Sequence, residues 1–420
     1  MRLVHRDHPG RSVRLAYCLN LHPAGDLDQY LKGLRRITLP LRERLSNAAE
    51  FGVGMYLPAK LARELASDAS QFDRLRNFLE SFGLDPFTYN AFPSGDFDAV
   101  GLKARVFEPT WFTEQRLQYT LDVAQLAARL GRCSGSERHV SISTHTGAHS
   151  SAVPPSERGD ACRRAFANWV ASAIAFARLE RDWGTRLVLA LEPEPRALVE
   201  SLLELRLIFD AERELRRSQS ESSAAIARHL GLCLDTCHAA VEYEDLSVSS
   251  LQSLAMSGAG VGKLQFTSAL SVHDPSGNDF GRRALFDLDD PRYLHQVTGQ
   301  GPDAVARAGD LPELREAWAD PRSAWHDCSE WRCHFHVPVD LEALAGSGLS
   351  TTRDYADRVL REELRAPALW GAHELHVEIE TYTWDVLPRE ARGSGELVDG
   401  LEREYRHVLA MCAAEGWCPG

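Results

Sequence analysis

RLVLALEPEPR (186–196) and LGLCLDTCHAAVEYED (230–245) are built alike: a run of branched apolar residues that ends on a carboxylate. Six or seven apolar residues without alternation, bounded by Pro, Gly or Asp, read as a strand buried on both faces. A carboxylate set directly after such a run loses its water unless something cationic meets it. Working outward, the same kind of run recurs as VRLAYCLN from Val13, FGVGMYL from Phe51, PFTYNAF from Pro86 and HVSIST from His139. Beyond the opening pair come GKLQFTS from Gly262 and ELHVEIE from Glu374.

Between these eight runs lie amphipathic stretches with apolar residues at helical spacing: Arg116 to Leu130, Asp160 to Asp182, Arg196 to Arg217, Thr352 to Arg365 and Leu397 to Met411. Strand and helix in alternation predict an α/β protein with a parallel sheet. Eight such units predict a (β/α)₈ barrel. An open sheet with a phosphate loop is disfavoured, because the first strand is followed by LHPAGD, with a single Gly.

Three connections are long: Pro93 to Thr110, Thr146 to Asp160, and above all 268–332, an insertion after the seventh strand rich in Asp, Gly, Pro, Arg and Trp. Short apolar runs inside it predict small helices, and it reads as a lid or interaction element within one barrel domain spanning 1–420. SQSESSAA, from Ser218, reads as a solvated connection.

The 420 residues carry a net charge of −13, with 44% hydrophobic and 25% charged residues. That balance fits a large globular core and argues against binding a nucleic-acid backbone, which needs clustered Lys and Arg. No apolar run approaches the roughly 20 residues that span a bilayer. The opening residues show no apolar leader with a small-residue cleavage site, so a soluble, cytoplasmic protein is expected. Nine irregularly spaced cysteines read as buried free thiols.

In a barrel, side chains at the C-terminal strand ends share one pocket. The fifth strand offers Glu192 there and the sixth Asp235, with His238 three residues on; a helix-capping acid or an Arg partner is the plainer reading of such a carboxylate. The seventh offers Gln265. In CHFHVPVD (333–340), His334 and His336 alternate across Phe335 and share one side of an extended segment, either as metal or oxyanion ligands or as two surface histidines. On the eighth strand His376, Glu378 and Glu380 share a face, and Glu380 lies nearest the pocket. His22, after the first strand, and His145, after the fourth, are polar groups able to shape a substrate site.

The order of Glu192, Asp235-x-x-His238 and Glu380-Thr-Tyr resembles the xylose isomerase-like TIM-barrel superfamily of sugar isomerases, epimerases and endonuclease IV. That resemblance implies a divalent metal (Mn, Zn, Fe, Co or Mg) on a Glu, Asp, His, Glu set, here Glu192, Asp235, His336 and Glu380. Glu192 and Glu380 would also be the catalytic acid–base pair, with His22, His145, His238, Gln265 and His334 at the substrate. The superfamily's strand-seven histidine falls where this chain has Gln265, so either Gln265 coordinates through its carbonyl or a histidine of the insertion swings in.

YCLNLHPAGD (17–26), LEPEP, LCLDTCHAA, HFHVPV and ETYTWDVLP (380–388) are more narrowly similar to EboE-like metabolite traffic proteins. That implies processing or movement of a secondary-metabolite precursor, a small-molecule substrate, other ebo-cluster proteins as partners, and pairing into a homodimer. Two readings stay open: a metal-dependent isomerase or epimerase on a hydroxylated or carbonyl metabolite, and a carrier that keeps the pocket without turnover. A nuclease is disfavoured by the charge.

Overall fold

The computed structural model describes residues 1–22, 24–45, 50–95, 101–131, 139–215, 220–247, 250–253, 260–388 and 396–420. The two residues that open SQSESSAA, the last two of the stretch from Arg196 to Arg217, and part of the connection from Pro93 to Thr110 lie outside them. No helix among the described residues is long and apolar enough to cross a membrane.

Among the described residues the strands run β1 Arg2–His5, β2 Ser12–Tyr17, β3 Phe51–Tyr56, β4 Leu84–Asn90, β5 His139–His145, β6 Arg186–Glu192, β7 Leu230–Asp235 and β8 Val261–Phe266. Then follow β9 Ser268–His273, β10 Val297–Gln300, β11 Val305–Ala308, β12 Glu330–Val337, β13 Ala343–Leu344, β14 Leu349–Thr351, β15 Glu374–Ile379 and β16 Trp417–Pro419. All eight runs read from the sequence are strands, and RLVLALE and LGLCLD match β6 and β7 residue for residue. Of the expected helices, the one placed at Arg196 starts later, at Leu202. Arg196 itself has φ 66°, and Ala197 pairs with His149 in an isolated bridge.

The eight parallel strands form one curled sheet in the order β2-β15-β8-β7-β6-β5-β4-β3, extended beyond β2 by antiparallel β1 and β16. Its far strands approach each other: Cys18, just past β2, bridges Gly54 of β3. Two glycines in FGVGMY make that approach feasible. A Cβ at Gly52 would stand 2.6 Å from the Leu15 carbonyl, and one at Gly54 would run into the Glu378 carboxylate. The space at Gly54 is taken by the Glu378 carboxylate, one of the polar side chains described below, while the apolar faces of the strands pack outward on the helices.

The insertion differs from its expected form. It holds two helices, Asp279–Phe286 and Leu311–Ala319, but its frame is a six-stranded antiparallel sheet, β11-β10-β12-β9-β14-β13, with its own core around Leu270, Val297, Trp331 and Phe335. The sheet extends past 332, to Thr351. Only Thr267 separates β8 from β9, and the Thr236 hydroxyl donates to the Thr267 carbonyl (2.6 Å) while accepting from its amide (3.0 Å). The second sheet is thus seated on the C-terminal ends of the first.

Two predictions follow from this packing. Gly54→Ala should cost on the order of 2–4 kcal/mol in urea denaturation, since the clash is with a locked carboxylate; unchanged stability would show that the seam is loose. Burial pushes Glu363 and Glu404 up to about 8, above their unfolded values. A raised acid favours folding only while protonated, so stability should fall as the pH rises from about 4.5 through 8, by up to about 1.4 kcal/mol per pH unit and per group. Glu363→Gln should flatten its share of that slope.

Candidate metal centre

Three imidazoles meet above the parallel strands. His238 sits on a short helix, Thr236–Val241, that starts where β7 ends; its first turn is capped by Asp235, whose Oδ1 accepts from the amides of Cys237 (2.7 Å) and His238 (2.9 Å). His334 and His336 come from β12, where the ladder to β9 shifts register between Cys333 and Val337. Such a bulge re-aims side chains. Here it turns both rings toward His238: the Nε2 atoms lie 2.8 Å (His334–His336), 3.1 Å (His238–His334) and 3.2 Å (His238–His336) apart.

The other ring nitrogens assign the protons. His238 Nδ1 faces the Pro193 carbonyl at 3.0 Å, His334 Nδ1 faces Gln296 Oε1 at 2.6 Å, and His336 Nδ1 faces the Glu380 carbonyl at 3.0 Å. Gln296 is fixed in that orientation because its Nε2 donates to Glu194 (3.1 Å) and to the Pro195 carbonyl (2.9 Å). A carbonyl oxygen only accepts, so each Nδ1 carries the hydrogen. Burial pushes His238 down to about 3 and His336 to about 4, and with neighbouring imidazoles it holds His334 well below the usual range. Three neutral rings, each with its one proton on Nδ1, therefore turn three lone pairs on one another, with only the Tyr382 hydroxyl, 3.4 Å from His334 Nε2, near enough to donate to one of them. That contact is repulsive unless a cation lies between them.

The spacing suits one. Metal–nitrogen bonds of about 2.0–2.1 Å put nitrogens roughly 3.3 Å apart in a tetrahedron and about 2.9 Å apart in an octahedron. Ligand atoms of Asp235, His238 and His336 also fall within 4.8 Å of one another, as do those of Glu194, His238 and His334. Asp235 Oδ2 and Glu194 Oε2 are buried without a hydrogen-bond partner. The residues present fit a divalent ion, with an acidic oxygen free to complete the shell.

The charge balance points the same way. Glu192, Glu194, Asp235, Glu378 and Glu380 are all buried here, against one ammonium, Lys263. Lys263 Nζ pairs with Glu378 (2.7 Å) and donates to Asn90 Oδ1 and Ser143 Oγ (both 3.0 Å). Burial, the largest single influence, would lower this ammonium, but Glu378 together with Cys233, Glu380 and Cys18 holds it above its ordinary value. Burial pushes Glu194 up to about 8. It also raises Glu192 and Glu380 well above the usual carboxylate range, each helped by a neighbouring carboxylate, Asp235 for the first and Glu192 for the second. Acids driven toward the neutral form by one another mark a place that lacks positive charge.

The roles drawn from the sequence are redistributed. His238 and His334, expected at a substrate, share the convergence with His336. Glu192 and Glu380 line the same cavity, open at its mouth, but their imidazole contacts are with Nδ1 atoms, of His238 at 3.7 Å and His336 at 3.9 Å. Gln265 lines the cavity too, held between Cys233 Sγ (2.8 Å) and Asn90 (3.2 Å). Two residues expected at the substrate lie off the cavity wall. His22 Nε2 is taken by the Tyr17 hydroxyl (2.8 Å), and the His145 ring packs against Phe92 and Phe107. Sequence reasoning missed Lys263, a charge inside an apolar strand that could have been noticed. It also missed Gln296, which no local signal marks.

Gln296→Leu should lower zinc affinity by about 10–100-fold, because it frees the His334 ring and unpins Glu194. His22→Ala should leave it unchanged. Chelator competition reads both, and an unaltered affinity in Gln296→Leu would place the ion elsewhere.

Neither a protein-family profile nor a curated protein sequence matches the chain. Among solved structures it is similar to the IOLI protein "with a binding zinc atom", at 10% identity over 96% of this chain and 99% of that one, with a TM-score of 0.45. It is similar also to a xylose isomerase-like TIM barrel/4-hydroxyphenylpyruvate dioxygenase fusion protein, at 13% identity and a TM-score of 0.39 over 96% of this chain and 44% of that one. With both TM-scores below 0.5, the site is read from this chain's own geometry.

Proposed function

We propose that the chain is a closed, xylose isomerase-like barrel acting as a divalent-metal-dependent isomerase or epimerase on a small metabolite that carries a hydroxyl beside a carbonyl. The observation that carries this is the convergence of the His238, His334 and His336 Nε2 atoms amid buried carboxylates at the C-terminal strand ends. A bound divalent ion would polarise the paired substrate oxygens and make the adjoining C–H more acidic. Its holders would be the three histidines with Asp235 or Glu194.

The chain's own residues supply the proton chemistry. Glu192, at the end of β6, and Glu380, at the end of β15, stand three strands apart in the sheet and line one cavity. One takes a proton from carbon while the other delivers one. Environments that raise carboxyl groups toward neutral pH suit both roles. Asn20 Nδ2 donates to Glu380 Oε1 at 3.3 Å and steadies it. Gln265 presents an amide to a substrate oxygen.

The motif likeness to EboE-like metabolite traffic proteins supports a place in secondary-metabolite processing, with other ebo-cluster proteins as partners and a homodimer as the working form. A carrier without turnover is the second reading, favoured by Gln265 standing where the superfamily has histidine.

Proton exchange separates the two. Incubation in D₂O with a panel of α-hydroxy carbonyl compounds, followed by proton NMR, should show loss of one C–H signal. Glu192→Gln and Glu380→Gln should each slow that exchange by about 10²–10⁴-fold while keeping the metal. Tight binding of a panel member with no exchange would sink the isomerase reading and leave the carrier.

A further inference from the structure

We infer that the cavity takes a substrate with two unlike ends: a pair of adjacent oxygens that face the histidines, and an uncharged apolar body, aryl or alkyl, that lies against the cavity's apolar wall. This rests on the metal-centre reading for the first end only. The second end is read from the wall itself.

That wall is made of Phe92, Pro93, Leu102, Val106, Tyr293 and Leu294. It is assembled from two distant segments, one after β4 and one from the insertion, and they are tied together. The Gly101 amide donates to the Pro291 carbonyl and the Lys103 amide to the Arg292 carbonyl, both at 2.9 Å. Lys103 Nζ then reaches Asp310 (2.8 Å) and Asp289 (3.4 Å). Lys103 holds φ 37°, a left-handed conformation uncommon for a side-chain-bearing residue, and these bonds keep it there. The apolar wall is therefore a fixed surface of the cavity.

Charge narrows the ligand further. The two cations that line the cavity, Lys103 and Arg292, are both engaged with aspartates, Arg292 through two nitrogens on Asp290. A phosphorylated sugar would have to break those pairs to be held. A free sugar would set its hydroxyls against Phe92, Leu102, Val106 and Leu294, which return no hydrogen bond, and would lose water without replacement. A flat or extended apolar body loses nothing there and gains by burial. Tyr293 and Tyr382, with ring centroids 5.1 Å apart, supply the aromatic side of the slot.

Calorimetric titration of the zinc-loaded protein with acetohydroxamic acid, 2-naphthohydroxamic acid, xylitol and xylose 5-phosphate tests this. The naphthyl probe should bind at least about tenfold more tightly than the acetyl one, from the added apolar area. Leu102→Asp should erase that preference. Equal affinity for the two hydroxamates, or tighter binding of xylitol or the sugar phosphate, overturns the inference. If the protein retains no zinc, the metal-centre reading fails by itself, and 2-naphthol, which does not chelate, becomes the probe. Binding that Leu102→Asp weakens still supports the apolar wall, whereas absent or unaffected binding overturns it.

Discussion

A buried site that holds five carboxylates, one ammonium and three neutral imidazoles has two separate problems, and protons solve only one of them. Protonation of Glu192, Glu194 or Glu380 removes the surplus negative charge, and burial already drives these groups that way. It does nothing for the lone pairs of His238, His334 and His336, which remain 2.8–3.2 Å apart. Protonating an imidazole would relieve that contact, yet burial opposes it at all three rings. A divalent cation between the rings answers both at once, turning the repulsive contact into ligation and offsetting the acids around it. The arrangement around the rings follows from that need.

The frame is built to keep the geometry from relaxing. If the Nδ1 partners were side chains, each ring could rotate away; two of the three are backbone carbonyls, and the third is an amide held by Glu194 and the Pro195 carbonyl. The bulge in β12 would be free to straighten, but the Thr383 hydroxyl holds the His336 carbonyl at 2.7 Å, and Phe335 stacks on His295 with ring centroids 3.7 Å apart. Beneath the rings, Lys263, Glu378 and Asn90 close a hydrogen-bonded layer inside the curled sheet. That layer needs room, and Gly54 on β3 provides it for the Glu378 carboxylate.

The parallel strands were legible because each is buried on both faces and so reads as an unbroken apolar run; the acids at their ends stood out against that background. The second sheet was not legible. Its strands VTGQ and VARA are four residues long, too short for any period to show; they pair with each other, and VTGQ pairs on its other side with β12, some thirty residues on. The roles of the histidines were hidden for a sharper reason. Whether a ring coordinates through Nε2 is decided by what holds its Nδ1, and those partners, at 193, 296 and 380, come together only in three dimensions. His22 and His145 illustrate the converse: one follows β2 and the other is the last residue of β5, where a pocket position is the default, but a tyrosine hydroxyl and a pair of phenylalanines claim them instead.

The Gln265 substitution is the point where chain and resemblance part most clearly, and the structure gives it a physical sense. An imidazole on β8 would project from inside the curled sheet, where Gln265 now bridges Cys233 and Asn90. The chain brings its imidazoles from above instead, on β12. The expectation that 268–332 forms a lid then meets a constraint, because a lid must lift. This segment continues into a strand that carries two of the three converging rings, and β8 enters it through a single residue anchored to Thr236. Moving the second sheet as a body would pull His334 and His336 away from His238 and undo the site with every opening. Arg292, Tyr293 and Leu294 of the segment line the cavity, whose mouth is open with the second sheet in this position.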